Sequence, residues 1–336
     1  MQFCFIDWQP SMELFKLGNY PVRWYSMCWV IGILGAYFLV RWLFKDQVID
    51  PVPEKKKGKF TWNTAPVYQE TVPTGKFDPL IFYCFIGVVL GARLGHCLFY
   101  EPAYYLGSVQ GVVEMFIPIH YDVFPSQWHF TGYTGLASHG GTIGLFLALL
   151  LYIRWSKLSA WTVLDMIGLA APLTACFIRL GNLMNSEIIG SVTDVPWAFI
   201  FHTNEALVDG LLVPRHPSQL YEAVAYLLIF IVGWALYKFF RAKDHADVLP
   251  GHKGRVGTGF YFGFCLATIF LFRFFIEFLK EVQGGADDGS TLLDMGQMLS
   301  IPFVLVGLWC VIKGLRTTDN GQRTADNSAS RFCRED

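Results

Sequence analysis

Seven apolar stretches, each about as long as a bilayer is thick, constrain this chain more than any other feature. A membrane-spanning helix needs roughly 20 mostly apolar residues. Charged residues make up only 16% of the chain, against about 25% in an average soluble domain, and the mean hydropathy is +0.38. The sequence therefore predicts an all-α integral membrane protein with about seven transmembrane helices and a small periplasmic domain. The predicted spans are residues 24–44, 80–100, 136–153, 160–183, 220–240, 257–277 and 295–312.

Several classes of site and partner are disfavoured by the sequence. The net charge of -1 gives no reason to expect a nucleic-acid partner. Most of the eight cysteines lie within apolar stretches, where cysteine behaves as a small hydrophobic residue, so we expect neither a disulfide framework nor a metal site. The sequence contains no His-Glu-x-x-His, Gly-x-Ser-x-Gly or Walker pattern. We expect no cofactor, and no cleavable signal peptide at the N-terminus.

The basic residues of the predicted loops indicate the orientation. With seven spans, one set of loops contains eighteen Lys and Arg residues and the other contains four. The positive-inside rule then places the N-terminus outside and the C-terminus in the cytoplasm. We expect a membrane domain over 1–316, with a cytoplasmic insertion at 45–79, a periplasmic interfacial segment at 101–135, a periplasmic head segment at 185–219, and a cytoplasmic polar tail at 317–336.

Polar residues near the outer ends of five predicted helices form the candidate site. Ionisable groups within hydrocarbon are costly, so each is a functional-site candidate. Alternatively, individual arginines snorkel and anchor helix ends, but this explains the whole set less well. We predict that these residues form one outer-leaflet cluster: Tyr25, Arg93, His139, the run from Arg179 to Glu187, and Arg273.

The chemistry of these side chains suggests an anionic ligand. Arg179 and Arg273 present planar forks of donors that do not lose their protons, which suits a phosphate. His139 has an unperturbed pKa near neutrality and is therefore a candidate base. The alternative for His139 is helix packing beside Gly140 and Gly141.

Three neighbours of the arginines leave two interpretations open. Asn182, Asn185 and Glu187 either cap a helix end, or Glu187 orients an arginine while Asn182 binds a phosphate or glycerol oxygen. Glu277 follows Arg273 by four residues, so we expect it to neutralise that arginine. Glycines that recur every four residues in the second span indicate helix packing instead of chemistry, and these are Gly87, Gly91 and Gly95.

Longer motifs resemble one known family. The chain is similar to bacterial phosphatidylglycerol:prolipoprotein diacylglyceryl transferase over most of residues 20–315. The motifs on which the resemblance rests are Arg-Trp-Tyr at 23–25, Gly-Ala-Arg-Leu-Gly at 91–95, Ser-His-Gly-Gly-Thr-Ile-Gly at 138–144, Arg-Leu-Gly-Asn-Leu-Met-Asn-Ser-Glu at 179–187 followed by Gly190, Arg-His-Pro-Ser-Gln-Leu-Tyr-Glu at 215–222, and Phe-Arg-Phe-Phe-Ile-Glu-Phe at 272–278.

This resemblance implies a seven-helix enzyme of the bacterial inner membrane. Such an enzyme moves a diacylglyceryl group from phosphatidylglycerol to the lipobox cysteine of a preprolipoprotein and releases glycerol phosphate. It implies that Arg179 and Arg273 bind the lipid phosphate, that Asn182, Glu187 and Gly190 shape the site, and that Tyr25 and His139 are needed for activity.

The chain departs from the family pattern at two positions. Ile269 stands where the family often has a tyrosine, so that hydroxyl is absent or supplied differently. Ser186 stands where glycine is usual, and we expect a mild effect.

Two other functions remain open. A membrane anion or lipid transporter would also use outward-facing Arg and His, but it requires polar residues through the membrane, and the inner halves offer little beyond Asp165. A noncatalytic anionic-lipid-binding protein explains the arginines but not the His-Gly-Gly cluster.

Overall fold

The computed structural model describes most of the chain, in two compact units. The first unit consists of residues 1–71 and 160–336, and the second of residues 72–159. Most of the predicted 45–79 insertion lies outside the described residues. The structure describes residues 5–18, 20–46, 74–117, 119–122, 127–130, 137–243, 253–280 and 295–332.

Helices dominate the described part of the chain. Six of them are long and apolar enough to cross a membrane, which confirms six of the seven predicted spans. The helices are α1 (Trp24–Asp46), α2 (Phe77–Phe99), α3 (Pro102–Leu106), α4 (Val109–Phe116), α5 (Ser138–Ser156), α6 (Ala160–Met184), α7 (Ser218–Lys243), α8 (Phe260–Ile276) and α9 (Met295–Phe332).

Most helices differ from their predicted bounds by a few residues at either end, and two need separate description. The third predicted span corresponds to α5, which begins at Ser138 and whose apolar part, Gly140–Ser156, is shorter than the other six. The apolar part of α9 ends at Arg316, but its backbone remains helical to Phe332, through most of the predicted polar tail.

In the first unit, α6 packs against α1, α7 and α8, and α8 packs against α9. Gly32 of α1 permits one close approach, because a Cβ there would lie 3.1 Å from the Phe177 Cβ of α6. At the start of α8, the backbone N–H groups of Gly257, Gly259 and Phe262 donate to the Asp165 carboxylate at 2.8–3.0 Å. Asp165 therefore joins α6 to α8 and satisfies N–H groups that a helix start leaves without partners.

The sequence did not predict the short strands between helices, because two to five residues are too few to show a clear alternation. β1 pairs in parallel with β6, and β6 pairs antiparallel with β9; β2–β3, β4–β5 and β7–β8 form antiparallel pairs. The strands are β1 (Ile6–Trp8), β2 (Glu13–Leu17), β3 (Tyr20–Arg23), β4 (Ile119–Asp122), β5 (Gln127–Phe130), β6 (Phe199–Phe201), β7 (Leu207–Val208), β8 (Leu211–Leu212) and β9 (Pro214–Arg215).

Glycines form the contact between α2 and α5 in the second unit. A Cβ at Gly91 would lie 2.5 Å from the Gly140 carbonyl oxygen and 2.7 Å from the Gly144 Cα, and one at Gly95 would lie 2.5 Å from the Gly140 Cα. Such backbone approach is how small residues associate helices in membranes. The packing role predicted for Gly87, Gly91 and Gly95 is confirmed, and Gly140 and Gly144 share it.

Candidate functional site

The site of the first unit centres on Arg179, near the C-terminal end of α6. Arg179 Nε lies 2.8 Å from Glu222 Oε2, and Arg179 Nη1 donates to Asn182 Oδ1 at 3.5 Å. Glu222 lies in the second turn of α7 and is 0% exposed. Because a carboxylate is costly to bury unpaired, Glu222 and Arg179 form a mutually dependent pair.

Glu222 also contacts a second cation. Lys280 follows the 3₁₀ turn after α8, and its Nζ lies 3.2 Å from Glu222 Oε1 and 3.4 Å from Glu277 Oε2. The hydroxyl of Tyr226, one turn further along α7, donates to Glu222 Oε1 at 3.4 Å. A single buried carboxylate thus joins cations from the end of α6 and the end of α8.

Glu187 does not pair with an arginine directly. It accepts hydrogen bonds from Asn182 Nδ2 at 3.1 Å and from Asn185 Nδ2 at 2.8 Å. Since Asn182 Oδ1 accepts from Arg179, Glu187 acts on the guanidinium through the amide of Asn182. The backbone forms a turn here as well, with the N–H of Glu187 donating to the Asn182 carbonyl oxygen at 3.0 Å, and the binding of a phosphate or glycerol oxygen by Asn182 stays a prediction.

The predicted pairing of Glu277 with Arg273 is wrong. The α-helix ends at Ile276, and residues 277–279 form a 3₁₀ turn, which directs the Glu277 carboxylate to Lys280 at 3.4 Å. Within the described ranges, Arg273 forms no hydrogen bond or ion pair, and it interacts electrostatically with Tyr226. The guanidinium of Arg273 is thus near the Glu222 network without a carboxylate of its own.

Gly190 shapes the site by permitting close packing. A Cβ at this position would lie 2.6 Å from the Cβ and the carbonyl oxygen of His216, and 2.8 Å from the Leu279 carbonyl oxygen. Gly190 forms an antiparallel bridge with Lys280, and the buried guanidinium of Arg215 donates to the Gly190 carbonyl oxygen at 3.2 Å. The absence of a side chain at 190 therefore lets the segment that contains Lys280 approach the Arg179 end of the unit.

Tyr25 lies at the same end of the first unit. A Cβ added to Gly181, the residue before Asn182, would lie 3.0 Å from Tyr25 Cδ2. The ring of Tyr25 also makes an edge contact with Trp29, with centroids 6.3 Å apart. The start of α1 thus places Tyr25 against Gly181, which lies between Arg179 and Asn182 in the sequence.

Two predicted site residues, Arg93 and His139, belong to the second unit. Arg93 is buried, its Nη2 donates to the Glu114 carbonyl oxygen at 2.8 Å, and its guanidinium lies 5.0 Å from the centroid of the Tyr105 ring. The side chain of His139 lies outside the described residues. The described contacts bring residues of α1, α6 and α8 together, and the single outer-leaflet cluster drawn from five helices stays a prediction.

Glu114 organises the short helices of the second unit. The hydroxyl of Tyr104 donates to Glu114 Oε2 at 2.7 Å, and Gln110 Nε2 donates to Oε1 at 2.8 Å. The hydrogen bond to this carboxylate raises the pKa of Tyr104 to about 12. With Arg93, these contacts join α2, α3 and α4.

Sequence reasoning missed Glu222, Lys280 and Arg215 as members of the site. Glu222 is the last residue of the motif at 215–222, but no neighbour at helical spacing indicated its partner. Arg215 is the first residue of that motif, and apart from this it and Lys280 counted only toward the loop charge. The available signal was an acidic residue near the start of a predicted apolar span, because a carboxylate that is buried there requires a cation.

Comparison with known proteins identifies the family. Residues 12–313 match the family model of prolipoprotein diacylglyceryl transferase. The chain belongs to this family. A phosphatidylglycerol–prolipoprotein diacylglyceryl transferase of Bacteroides fragilis is 48% identical over 304 residues, which cover 90% of this chain and 93% of the relative.

More distant relatives share the same name and extent. The phosphatidylglycerol–prolipoprotein diacylglyceryl transferase of Chloroherpeton thalassium is 38% identical, covering 93% of this chain and 95% of the relative. That of Tolumonas auensis is 36% identical, covering 90% and 94%. The chain is a multi-pass membrane protein of a transferase family, which favours the transferase prediction over a transporter or a noncatalytic scaffold.

Ile269 stands at the position where a tyrosine was expected from the resemblance to the diacylglyceryl transferase family. Ile269 packs against a buried cluster that contains Cys176, Ala223 and Tyr226. The hydroxyl of Tyr226 contacts Glu222, so a phenol lies beside the position at which the resemblance predicts a tyrosine.

Proposed function

We propose that this protein transfers the diacylglyceryl group of phosphatidylglycerol to the lipobox cysteine thiol of a preprolipoprotein. The reaction forms a thioether and releases glycerol phosphate. The observation that supports this most directly is the charge arrangement around α6 and α8. Arg179 and Lys280 share the carboxylates of Glu222 and Glu277, whereas Arg273 has no carboxylate partner in the described residues.

The excess guanidinium suits the single negative charge of a phosphodiester. The guanidinium groups of Arg273 and Arg179 offer donors to the phosphate oxygens, and such groups bind phosphate in a planar, two-point geometry. Asn182 gives one amide proton to Glu187, and an amide has a second one. That second proton is suited to a phosphate or glycerol oxygen of the lipid.

The chemistry needs a nucleophile and a stabilised leaving group. The cysteine sulfur attacks the glyceryl carbon, the bond from that carbon to the phosphate oxygen breaks, and glycerol phosphate leaves with one additional negative charge. Arg179 and Arg273 stabilise that charge in a site of low dielectric constant. A free thiol has a pKa of about 8.5, so its proton must be removed near neutral pH, and His139 is the base that we assign.

Other predicted residues have supporting roles in this proposal. Tyr25 closes the site beside Asn182, and Gly190 permits the approach of Lys280. Asn185 and Glu277 position charged or polar partners, and Arg93 braces α2 in the second unit.

The proposed location is the bacterial inner membrane, with the N-terminus outside and the C-terminus in the cytoplasm. The loop charges favour this orientation. The head segment at 185–219 and the interfacial segment at 101–135 would then face the incoming lipoprotein on the periplasmic side. Photocrosslinking of a substrate peptide should label these segments, and labelling confined to cytoplasmic loops would overturn the orientation.

Incubation of purified protein with glycerol-labelled phosphatidylglycerol and a lipobox peptide tests the function. We expect a thioether-linked lipid on the cysteine, and none on a matched peptide with serine at that position. Transport of labelled lipid or anion into vesicles without transfer would indicate a transporter. Lipid binding alone would indicate a scaffold.

A further inference from the structure

Glu222 differs from every other acidic residue of the site in its degree of enclosure. It is 0% exposed, and its two carboxylate oxygens contact two cations from different elements, Arg179 at 2.8 Å and Lys280 at 3.2 Å. Tyr226 provides the only hydroxyl that the described contacts give it, at 3.4 Å. A carboxylate is retained in such a place only if its charge is compensated on all sides.

The contact of Glu222 with Arg179 uses one edge of the guanidinium. Nε lies 2.8 Å from Glu222 Oε2, and Nη1 donates to Asn182 Oδ1 at 3.5 Å, so protein groups hold two of the three nitrogens. The hydroxyl of Tyr226 also interacts with the Arg179 guanidinium. Because a guanidinium is planar, fixing Nε and Nη1 also fixes the direction in which Nη2 donates.

From this geometry we infer that Glu222 is the positioning residue of the anion site. It orients Arg179 toward the lipid phosphate and at the same time compensates part of the positive charge that Arg179 and Lys280 would otherwise present. The inference rests on the proposed function and extends it to a residue that does not itself touch the reacting atoms.

Two effects of opposite direction follow when the charge of Glu222 is removed. In Glu222→Gln the site becomes more positive, so an anion binds more tightly. The guanidinium of Arg179 is at the same time less well oriented, so the transfer step slows. A misplacement of about 1 Å in a positioning group can reduce a rate about 100-fold.

The experiment measures peptide transfer and product inhibition in the same purified enzyme. For Glu222→Gln we expect kcat to fall about 10- to 100-fold. We expect the inhibition constant of glycerol phosphate to fall about 3- to 10-fold, and a tenfold fall corresponds to about 1.4 kcal/mol of binding free energy. Glu13→Gln is the control, because Glu13 is exposed and Lys16 is its ion-pair partner among the described residues. Lower kcat with unchanged or weaker inhibition would show a merely structural role and would overturn the inference.

A second set of variants tests the same charge balance, and Lys280→Gln does so even if Glu222→Gln does not fold. Lys280→Gln removes one cation from the same carboxylate, so glycerol phosphate should inhibit more weakly than in the wild type. The double variant Glu222→Gln with Lys280→Gln restores the charge balance, and its inhibition constant should return to within about twofold of the wild type. An inhibition constant of the double variant outside that range would contradict the inference.

The outcomes separate this inference from the proposed function. If wild-type protein transfers no lipid to the peptide, the proposed function fails. If the wild type transfers lipid and Glu222→Gln matches it in both kcat and inhibition, only the positioning role of Glu222 fails.

Discussion

Gly190 and His216 lie in backbone contact, so that a Cβ at 190 would come within 2.6 Å of the Cβ and carbonyl oxygen of His216. The N–H of Gly190 donates to that same carbonyl oxygen at 3.0 Å. This contact, with the Gly190–Lys280 bridge, connects the head segment to the end of α8. The position of Lys280 therefore depends on a residue without a side chain.

Gly190→Ala should destabilise the protein and reduce transfer. The added methyl group meets backbone atoms that cannot move aside separately, and overpacking of this kind costs about 1–3 kcal/mol. Thermal unfolding in detergent measures the loss. Gly75→Ala is the control, since nothing lies within 4 Å of a Cβ there, and equal midpoints for the two variants would show that the Gly190 contact is not tight.

Gly91→Ala should loosen the pair of helices α2 and α5. Its Cβ would lie 2.5 Å from the Gly140 carbonyl oxygen, whereas a Cβ at Gly141 in the same pair would meet nothing closer than 3.5 Å. We expect Gly91→Ala to lower the unfolding midpoint, and Gly141→Ala to leave it unchanged or raise it, because alanine favours a helix interior by about 0.5–1 kcal/mol over glycine. The reverse order would argue against glycine packing.

Acidification should destabilise the head segment through His216. Burial lowers the pKa of His216 below its ordinary value of 6.5. The unfolded chain therefore binds this proton first as the pH falls, and stability that is present above pH 6.5 is lost as the pH falls through the lower, folded-state pKa. We expect His216→Gln to show a smaller decrease in unfolding midpoint between pH 7 and pH 5 than the wild type, and an equal decrease would assign the effect to other groups.

The apolar pattern was sufficient to predict the spanning helices, but not which charges pair between them. Helices α1, α2, α6, α7, α8 and α9 follow from length and hydropathy alone. Glu277 was assigned to Arg273 because the prediction extended α8 by one residue too many. The 3₁₀ turn that begins at Glu277 changes the partner to Lys280.

The central ion pair was beyond sequence reasoning for a different reason. Arg179 and Glu222 are separated by the whole head segment, and only the packing of α6 against α7 brings them to 2.8 Å. Local spacing gives no information about such a contact. The strands were not predicted because they are short. The roles of Gly190 and Arg215 depend on close contacts with the backbone of other segments, and residue type alone does not reveal such contacts.

His139→Gln should reduce transfer if His139 removes the thiol proton. General base catalysis contributes about 10²- to 10⁴-fold, so kcat should fall within that range at neutral pH, and raising the pH toward the pKa of the thiol should recover part of the rate. Near wild-type transfer in the purified variant would exclude His139 as the base and leave the arginine contribution in place.

The measurement that tests the central proposal most directly is the rate at which Arg273→Ala forms thioether-linked lipid on a lipobox peptide from labelled phosphatidylglycerol. Loss of one charge-stabilising donor from a transition state costs about 10²- to 10³-fold in rate. We expect a decrease in that range, with an unfolding midpoint close to that of the wild type because Arg273 forms no ion pair among the described residues. Transfer at the wild-type rate by folded Arg273→Ala would contradict the proposal that Arg273 stabilises the leaving phosphate.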